Sequence, residues 1–304
     1  MSASNPRHFI AEDDLTRDEF IDLIKNAIEL KTSWKRGDIR DSLRNRTLAM
    51  IFEKASTRTR TSFEAGMVQL GGHALNLSPS ESQQGRGEPI EDTSRVLSEM
   101  VDVAMLRTHR HETIEKFATF SSIPVINGLS DKLHPCQLLA DMQTFFEIRG
   151  SIEGATVAWL GAGNTNMCNS FINTAKLLNF KLNVACPSDL TPDDELMQKC
   201  ASHVELTSDV KAACEGVDVV VTDVWASMGQ EEDTAQLTKL LSPYQVNDET
   251  MSLADKDAIF MHCLPAHRGE EVTASVIDGP QSVVWQEAGN RLHAQKALLE
   301  MLVA

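Results

Sequence analysis

The chain has 304 residues, 42% hydrophobic and 24% charged, with a formal net charge of −16. That length supports two domains with substantial cores, and the composition is that of a soluble globular protein. The acidic balance argues against nucleic acid as a general partner, and an anionic ligand must be drawn in by a local group of arginines.

Leu15 to Lys31 reads as an amphipathic packing helix, with Thr16 and Glu19 in a capping-box pattern. Thr47 to Phe52 is an apolar run that predicts a buried strand. Phe63, Met67 and Leu70 then fall at helical spacing, and Gly71-Gly72 ends that helix. Between strand and helix stands Ser56-Thr57-Arg58-Thr59-Arg60-Thr61. A helix amino terminus at a strand's carboxyl end offers free backbone N–H groups and a partial positive charge. One serine or threonine there would be a cap; this stretch supplies far more hydroxyl and guanidinium donors than a cap needs, and suits a phosphate.

His73 to Leu77 is the next expected strand. Ser78 to Pro89 comes after it, a long polar stretch rich in Ser, Gly and Pro of the kind that carries function. Glu91 to Val101 reads as a helix, Val103 to Leu106 as a buried strand with Arg107 at its end, and Pro124 to Asn127 as another strand. His134-Pro135-Cys136-Gln137 opens a helix running to Ile148, which puts His134 and Gln137 one turn apart. Ser151 to Gly154 marks the domain boundary, giving domains 1–150 and 151–286.

The second half restarts as α/β. Ala155 to Leu160 predicts a strand, and Gly161 to Asn166 a tight turn into a helix. Gly-x-Gly after a strand suggests dinucleotide binding, but the third glycine is missing. Asp189, beyond Pro187, comes late for a ribose partner. Lys181 to Cys186, Val217 to Val224 and Ile259 to Met261 read as further strands. Asp223 stands at a strand's carboxyl end, where it can cap the next segment or meet a cationic ligand. His262-Cys263-Leu264-Pro265 comes directly after the last strand. A cysteine there is usually packing, and His262, its neighbour in sequence, points the wrong way to act as its base. Glu287 to Leu302 reads as a terminal helix with Arg291 in its first turn. Six cysteines without a C-x-x-C pair indicate reduced thiols and no zinc site. No run is long and apolar enough to span a membrane, and no signal or transit peptide is legible, so a cytoplasmic protein is expected.

Phe52-Glu53-Lys54-Ala55-Ser56-Thr57-Arg58-Thr59-Arg60-Thr61-Ser62-Phe63-Glu64 resembles the carbamoyl phosphate signature of the aspartate and ornithine carbamoyltransferases, and the resemblance extends over nearly the whole chain. It implies two doubly wound parallel-sheet α/β domains, with the active site in the cleft between them and the terminal helix packed back on the first. Ser56, Thr57, Arg58 and Thr59 would hold the phosphate, Arg107 would be the carbamoyl-binding arginine, and Arg291 the last carbamoyl phosphate ligand. Thr59, Arg107 and His134 would donate to the carbamoyl oxygen, and Gln137 would hold the carbamoyl amide. Gln83, with Gln84 as the alternative, would reach the carbamoyl phosphate of a neighbouring subunit in a homotrimer. Asp-x-x-x-Ser-Met-Gly and His-Cys-Leu-Pro are motifs of the family's ornithine branch. There Asp223 pairs with the substrate α-ammonium, and Ser227 and Met228 belong to the loop that closes over it. Cys263 contacts the side chain near the reacting amine, and the Cys263 and Leu264 backbone lines the site, which counts both among the carbamoyl phosphate-binding residues. The family's Gly-Asp-x-x-Asn-Asn turn has Ala162 and Thr165 as departures here. Asn166 aligns as the amino-acid ligand, with Asn164 as the alternative.

The implied reaction moves the carbamoyl group of carbamoyl phosphate to the δ-amine of L-ornithine, giving L-citrulline and phosphate. No metal or organic cofactor is called for, because the leaving group is already activated. A carbamoyltransferase for another amine, such as putrescine or a modified ornithine, is the nearest alternative. A dinucleotide-dependent dehydrogenase or a non-catalytic nucleotide-binding module is the alternative of another class.

Overall fold

Short apolar runs separated by helices build two sheets, in which every described strand pair is parallel. The computed structural model describes residues 6–53, 56–77, 87–225 and 234–304. The chain divides into two units, Met1–Gln143 with Gly289–Ala304, and Thr144–Ala288.

The first unit holds β1 (Thr47–Phe52), β2 (His73–Leu77), β3 (Val103–Arg107) and β4 (Val125–Leu129), in the order β2-β1-β3-β4. Helices cover such a sheet on its faces, so its inner strands are apolar along their length: Leu48 to Phe52 and Val103 to Leu106 are all buried. From β1 the chain adds β2 on one side and then crosses to add β3 on the other. The carboxyl ends of β1 and β3 therefore flank the point where strand order reverses, where open α/β sheets take their ligands. Phe52 pairs with Arg107 in register, and the Glu53 N–H donates to the Arg107 carbonyl at 2.9 Å. Against β4 the register slips: Leu106 faces Asn127 but Arg107 faces Leu129. Gly128 makes the slip fit, because a Cβ there would lie 2.3 Å from Met105 Sδ. Ala49, Ile51, Leu106, Ile114 and Phe117 pack in the core between sheet and helices.

The second unit holds β5 (Thr156–Leu160), β6 (Lys181–Ala185), β7 (Val204–Thr207), β8 (Val219–Thr222) and β9 (Ile259–His262), in the order β7-β6-β5-β8-β9. Strand order again reverses beside the first strand, now between β5 and β8. Leu160 pairs with Thr222, and Thr222 Oγ1 donates to the Leu160 carbonyl at 2.7 Å. Leu160, Val220, Phe260, Trp225 and Tyr244 belong to this unit's core. The edge strand β7 (VELT) escapes a sequence reading because it is short and largely exposed.

Two helices run longer than expected, and the one expected over Glu91 to Val101 is shorter, Ile90–Ser98. The amino-terminal helix runs over Arg17–Arg36, capped by Thr16 and Glu19 as expected, but one turn longer than the apolar pattern suggests. Nothing breaks it before Gly37, which ends it at φ +83°. The terminal helix spans Val284–Val303, because Val284 is fully buried and joins the second unit's core. Arg291 therefore stands well inside that helix and not in its first turn.

Candidate active site

In the first unit the site grows from the reversal point. Ser56 occupies the N-cap position of the helix Thr57–Gln69, but its side chain makes no capping bond. The first-turn N–H groups thus receive nothing from the residue that usually satisfies them. Thr59 is buried, Ser56 and Arg58 are half-buried, and Thr57 is exposed. Thr59 Oγ1 accepts two guanidinium bonds, from Arg107 Nη1 at 3.1 Å and from Arg291 Nη2 at 3.1 Å. With both lone pairs engaged, its hydroxyl hydrogen is left to donate. Arg291 Nη1 also donates to Gln137 Oε1 at 2.5 Å, and Gln137 Nε2 donates to Asp141 Oδ1 at 2.8 Å. Six side chains from four places in the sequence thereby converge: Arg58 and Thr59, Arg107, His134 and Gln137, and Arg291.

The electrostatics of this cluster are positive inside an acidic protein. His134, just ahead of the helix Pro135–Arg149, is buried. Burial, and after it the fields of Arg291, Arg107 and Arg58, holds its imidazole well below the ordinary histidine range. It therefore stays neutral at working pH, and a neutral imidazole can still donate one hydrogen bond. The sign of the stability effect comes from linkage. Above about pH 6.5 the ring is neutral in both folded and unfolded chains. As pH falls below that value, the unfolded chain takes up a proton that the folded site refuses. Stability is then lost at up to about 1.4 kcal/mol per pH unit for this group. Thermal melts from pH 7 to pH 5 should fall more steeply for the wild type than for His134→Gln; parallel slopes would contradict this account.

Asp141 is a site residue that sequence reasoning misses. It stands one turn beyond Gln137 on the same helix face, buried, and orients the Gln137 amide. Its signal, the i,i+4 pair of glutamine and aspartate, is present in the sequence. Glu53 is a second such residue; its Oε2 accepts the N–H of His109 at 2.7 Å and ties together the segments that leave β1 and β3.

In the second unit the turn after β5 is built tightly. Gly161 adopts φ +129°, and Trp159 Nε1 donates to the Ala162 carbonyl at 3.0 Å. The Gly163 N–H donates to the Leu190 carbonyl at 2.7 Å. Thr165 caps the helix Asn166–Leu178 through the Cys168 N–H. Asn166 opens that helix half-buried, whereas Asn164 is exposed. Across the β5–β8 reversal, Asp223 comes directly after β8. Its Oδ1 accepts the Val224 N–H at 2.8 Å and the Cys263 thiol at 3.1 Å. Cys263 and Leu264 come directly after β9 and are half-buried. The structure thus brings Asp223 and Cys263 together. Gln83, Gln84, Ser227 and Met228 lie outside the described residues.

Among the described residues, two groups of side chains have metal-ligating types close together. Asp223, His262 and Cys263 form one, and His267, Glu270 and Glu271 the other, with one candidate ligand atom per residue inside 4.8 Å. In the first group both His262 ring nitrogens already serve the protein, with Leu264 and Glu271 as partners. A cation there would have to break those bonds.

Cys263 also differs from the other thiols. Cys136, Cys168, Cys186, Cys200 and Cys214 are buried, and burial pushes Cys136 and Cys214 up to about 12 and Cys186 up to about 11. Since the thiolate is the reactive form, a disulfide reagent should titrate one thiol in the native protein and all six cysteines after denaturation. Three or more fast native thiols would contradict the burial described.

Residues 153–302 match the Asp/Orn binding domain of aspartate/ornithine carbamoyltransferase, and residues 7–147 match the carbamoyl-P binding domain. The chain belongs to the aspartate/ornithine carbamoyltransferase family. It is 59% identical to the ornithine carbamoyltransferase of Methylococcus capsulatus, covering 98% of this chain and 99% of that one. It is 55% identical to the anabolic ornithine carbamoyltransferase of Pseudomonas aeruginosa, covering 98% and 97%. Among solved structures, ornithine carbamoyltransferase from Pyrococcus furiosus superposes with a TM-score of 0.94 at 44% identity, covering 100% of this chain and 99% of that one. The Burkholderia thailandensis enzyme does so at 0.91 and 48%, covering 98% of each.

Proposed function

We propose that the protein transfers the carbamoyl group of carbamoyl phosphate to the δ-amine of L-ornithine, giving L-citrulline and phosphate. The observation that carries this reading is the Thr59 hydroxyl held between Arg107 and Arg291, beside Arg58 and a neutral His134, at the uncapped start of a helix. Such a set suits a small doubly charged acyl phosphate.

In this reading Ser56, Thr57, Arg58 and Thr59 take the phosphate, with Arg107 and Arg291 completing the positive surround. Thr59, Arg107 and His134 donate to the carbamoyl oxygen as it gains charge in the tetrahedral intermediate. Gln137, braced by Asp141, accepts from the carbamoyl amide. Arg58 and its neighbours stabilise the phosphate as it leaves. Asp223 takes the α-ammonium of ornithine, and Asn166 binds the amino-acid end. Cys263 meets the reacting amine, and the Cys263 and Leu264 backbone lines its path. An alkyl ammonium has a pKa of about 10.4, so the δ-amine must shed its proton before it attacks. Asp223 and Cys263, hydrogen-bonded to each other, are the groups that orient the neutral amine. Ser227 and Met228 would close over ornithine.

The relatives named anabolic favour a role in arginine biosynthesis. A homotrimer in which Gln83 reaches a neighbouring subunit's ligand is consistent with β2 being an edge strand that carries the exposed Leu75 and leads into that segment. A cytoplasmic location suits the free thiols, and among the described residues no helix is long and apolar enough to cross a membrane. Purified protein should form citrulline from carbamoyl phosphate and ornithine, and not from putrescine in place of ornithine. A preference for putrescine would reassign the amine; no citrulline at all would overturn the function.

A further inference from the structure

His262 ends β9 with its side chain fully buried. The Leu264 N–H donates to its Nδ1 at 2.9 Å. A backbone N–H can only donate, so Nδ1 carries no hydrogen and Nε2 must carry it. Nε2–H therefore donates to Glu271 Oε1, 3.1 Å away. That same oxygen accepts the His267 N–H at 2.7 Å. One fully buried carboxylate oxygen thus grips the segment 262–267 at both ends, by a ring at its start and by the backbone at its finish. Inside the segment, Leu264 sits at φ +56°, a conformation disfavoured for any residue with a Cβ. In that conformation its N–H is taken by the His262 ring. Immediately before it stands Cys263, whose thiol faces Asp223 Oδ1.

A buried carboxylate is costly where an apolar side chain would pack as well, so its retention calls for a task that needs its oxygen. We propose that Glu271 is a positioning residue for carbamoyl transfer. By fixing the Nε2–H form of His262 it lets Nδ1 pin Leu264, and so sets where the Cys263 thiol points. This rests on the reading of Cys263 and Asp223 as partners of the reacting amine. The logic is that of outer partners that orient a histidine through its second nitrogen.

The test uses the full-length enzyme with Glu271→Ala, Glu271→Gln, Cys263→Ala and the Glu271→Ala/Cys263→Ala double variant. Steady-state kinetics with ornithine and calorimetric carbamoyl phosphate affinity are measured for each. Glu271→Ala should lower kcat by about 10- to 100-fold, the scale at which such outer partners act, with carbamoyl phosphate affinity kept within about twofold. Glu271→Gln should recover to within about threefold of wild type, because an amide oxygen accepts the same two bonds. The double variant should lose no more than Cys263→Ala alone, since Glu271 acts through the thiol. Should the alanine variant not fold, Glu271→Met fills the volume and accepts neither bond. If Cys263→Ala is damaged while Glu271→Ala or Glu271→Met behaves as wild type, the proposal is overturned. Equal damage in Glu271→Gln and Glu271→Ala, or fully additive losses in the double variant, overturns it as well. If Cys263→Ala itself leaves ornithine kinetics unchanged, it is the reading of Cys263 that fails.

Discussion

Arg58→Ala should weaken carbamoyl phosphate binding by about two to three orders of magnitude while leaving the fold intact. Arg58 stands in the first turn of the helix Thr57–Gln69, half-buried, and among the described residues no carboxylate forms an ion pair with it. Its charge is nevertheless felt at His134, which places it within electrostatic reach of the site. Truncating one partner of a largely desolvated charge pair costs about 2–5 kcal/mol, and each 1.4 kcal/mol is tenfold in affinity. Arg107 and Arg291 would still hold Thr59, so the rest of the cluster has its own supports. Titration calorimetry measures the loss, and circular dichroism the fold. Arg58→Lys should fall in between, since it keeps a charge but loses the planar fork that grips a phosphate with two parallel bonds. Unchanged affinity in Arg58→Ala would remove the anion site from that helix start.

Asp223→Asn should raise the KM for ornithine and lower kcat/KM by about a hundredfold or more, with carbamoyl phosphate affinity within about twofold of wild type. Asparagine is nearly isosteric and keeps an oxygen for the Val224 N–H, which Asp223 accepts at 2.8 Å. The substitution therefore removes the charge and spares the local turn. An ammonium held by a carboxylate in a partly desolvated site loses a charge-assisted bond, worth roughly twice a neutral one, and the field that draws it in. Ser56 to Thr59, Arg107, His134, Gln137 and Arg291 belong to the first unit and Asp223 to the second, so selective loss is the signature of the assigned role. Equal losses for the two substrates would contradict it.

How directly a residue can be read from the sequence depends on how local its signal is. Ser56 to Thr59 are contiguous, and so are His262 to Leu264; each set lies where an apolar run stops and a new element starts, which is visible without tertiary information. His134 and Gln137 are one helical turn apart. Asp141 lies one turn further on the same face and is easily missed, because its work is to orient Gln137 and that bond exists only once the side chain is packed. Glu271 is eight residues beyond Cys263 in a polar stretch and looks like surface charge in the sequence, yet it is fully buried. Arg291 shows the reverse failure: its identity is legible, but its place in the helix is not, since the helix start depends on Val284 entering a core built mainly from distant strands.

The sequence by itself determined the described strands other than β7, their alternation with helices and the class of anion that Ser56 to Thr59 suit, because hydrophobic period and donor spacing are properties of neighbouring residues; the roles of the other short motifs came from the family resemblance. Only the tertiary structure decided that β3 lies beside β1 and β8 beside β5. Those two reversals bring Arg107 next to Phe52 and Thr222 next to Leu160. They turn separate motifs into two ligand-ready strand ends, because strand order is set by how crossover helices pack and not by any residue near the site.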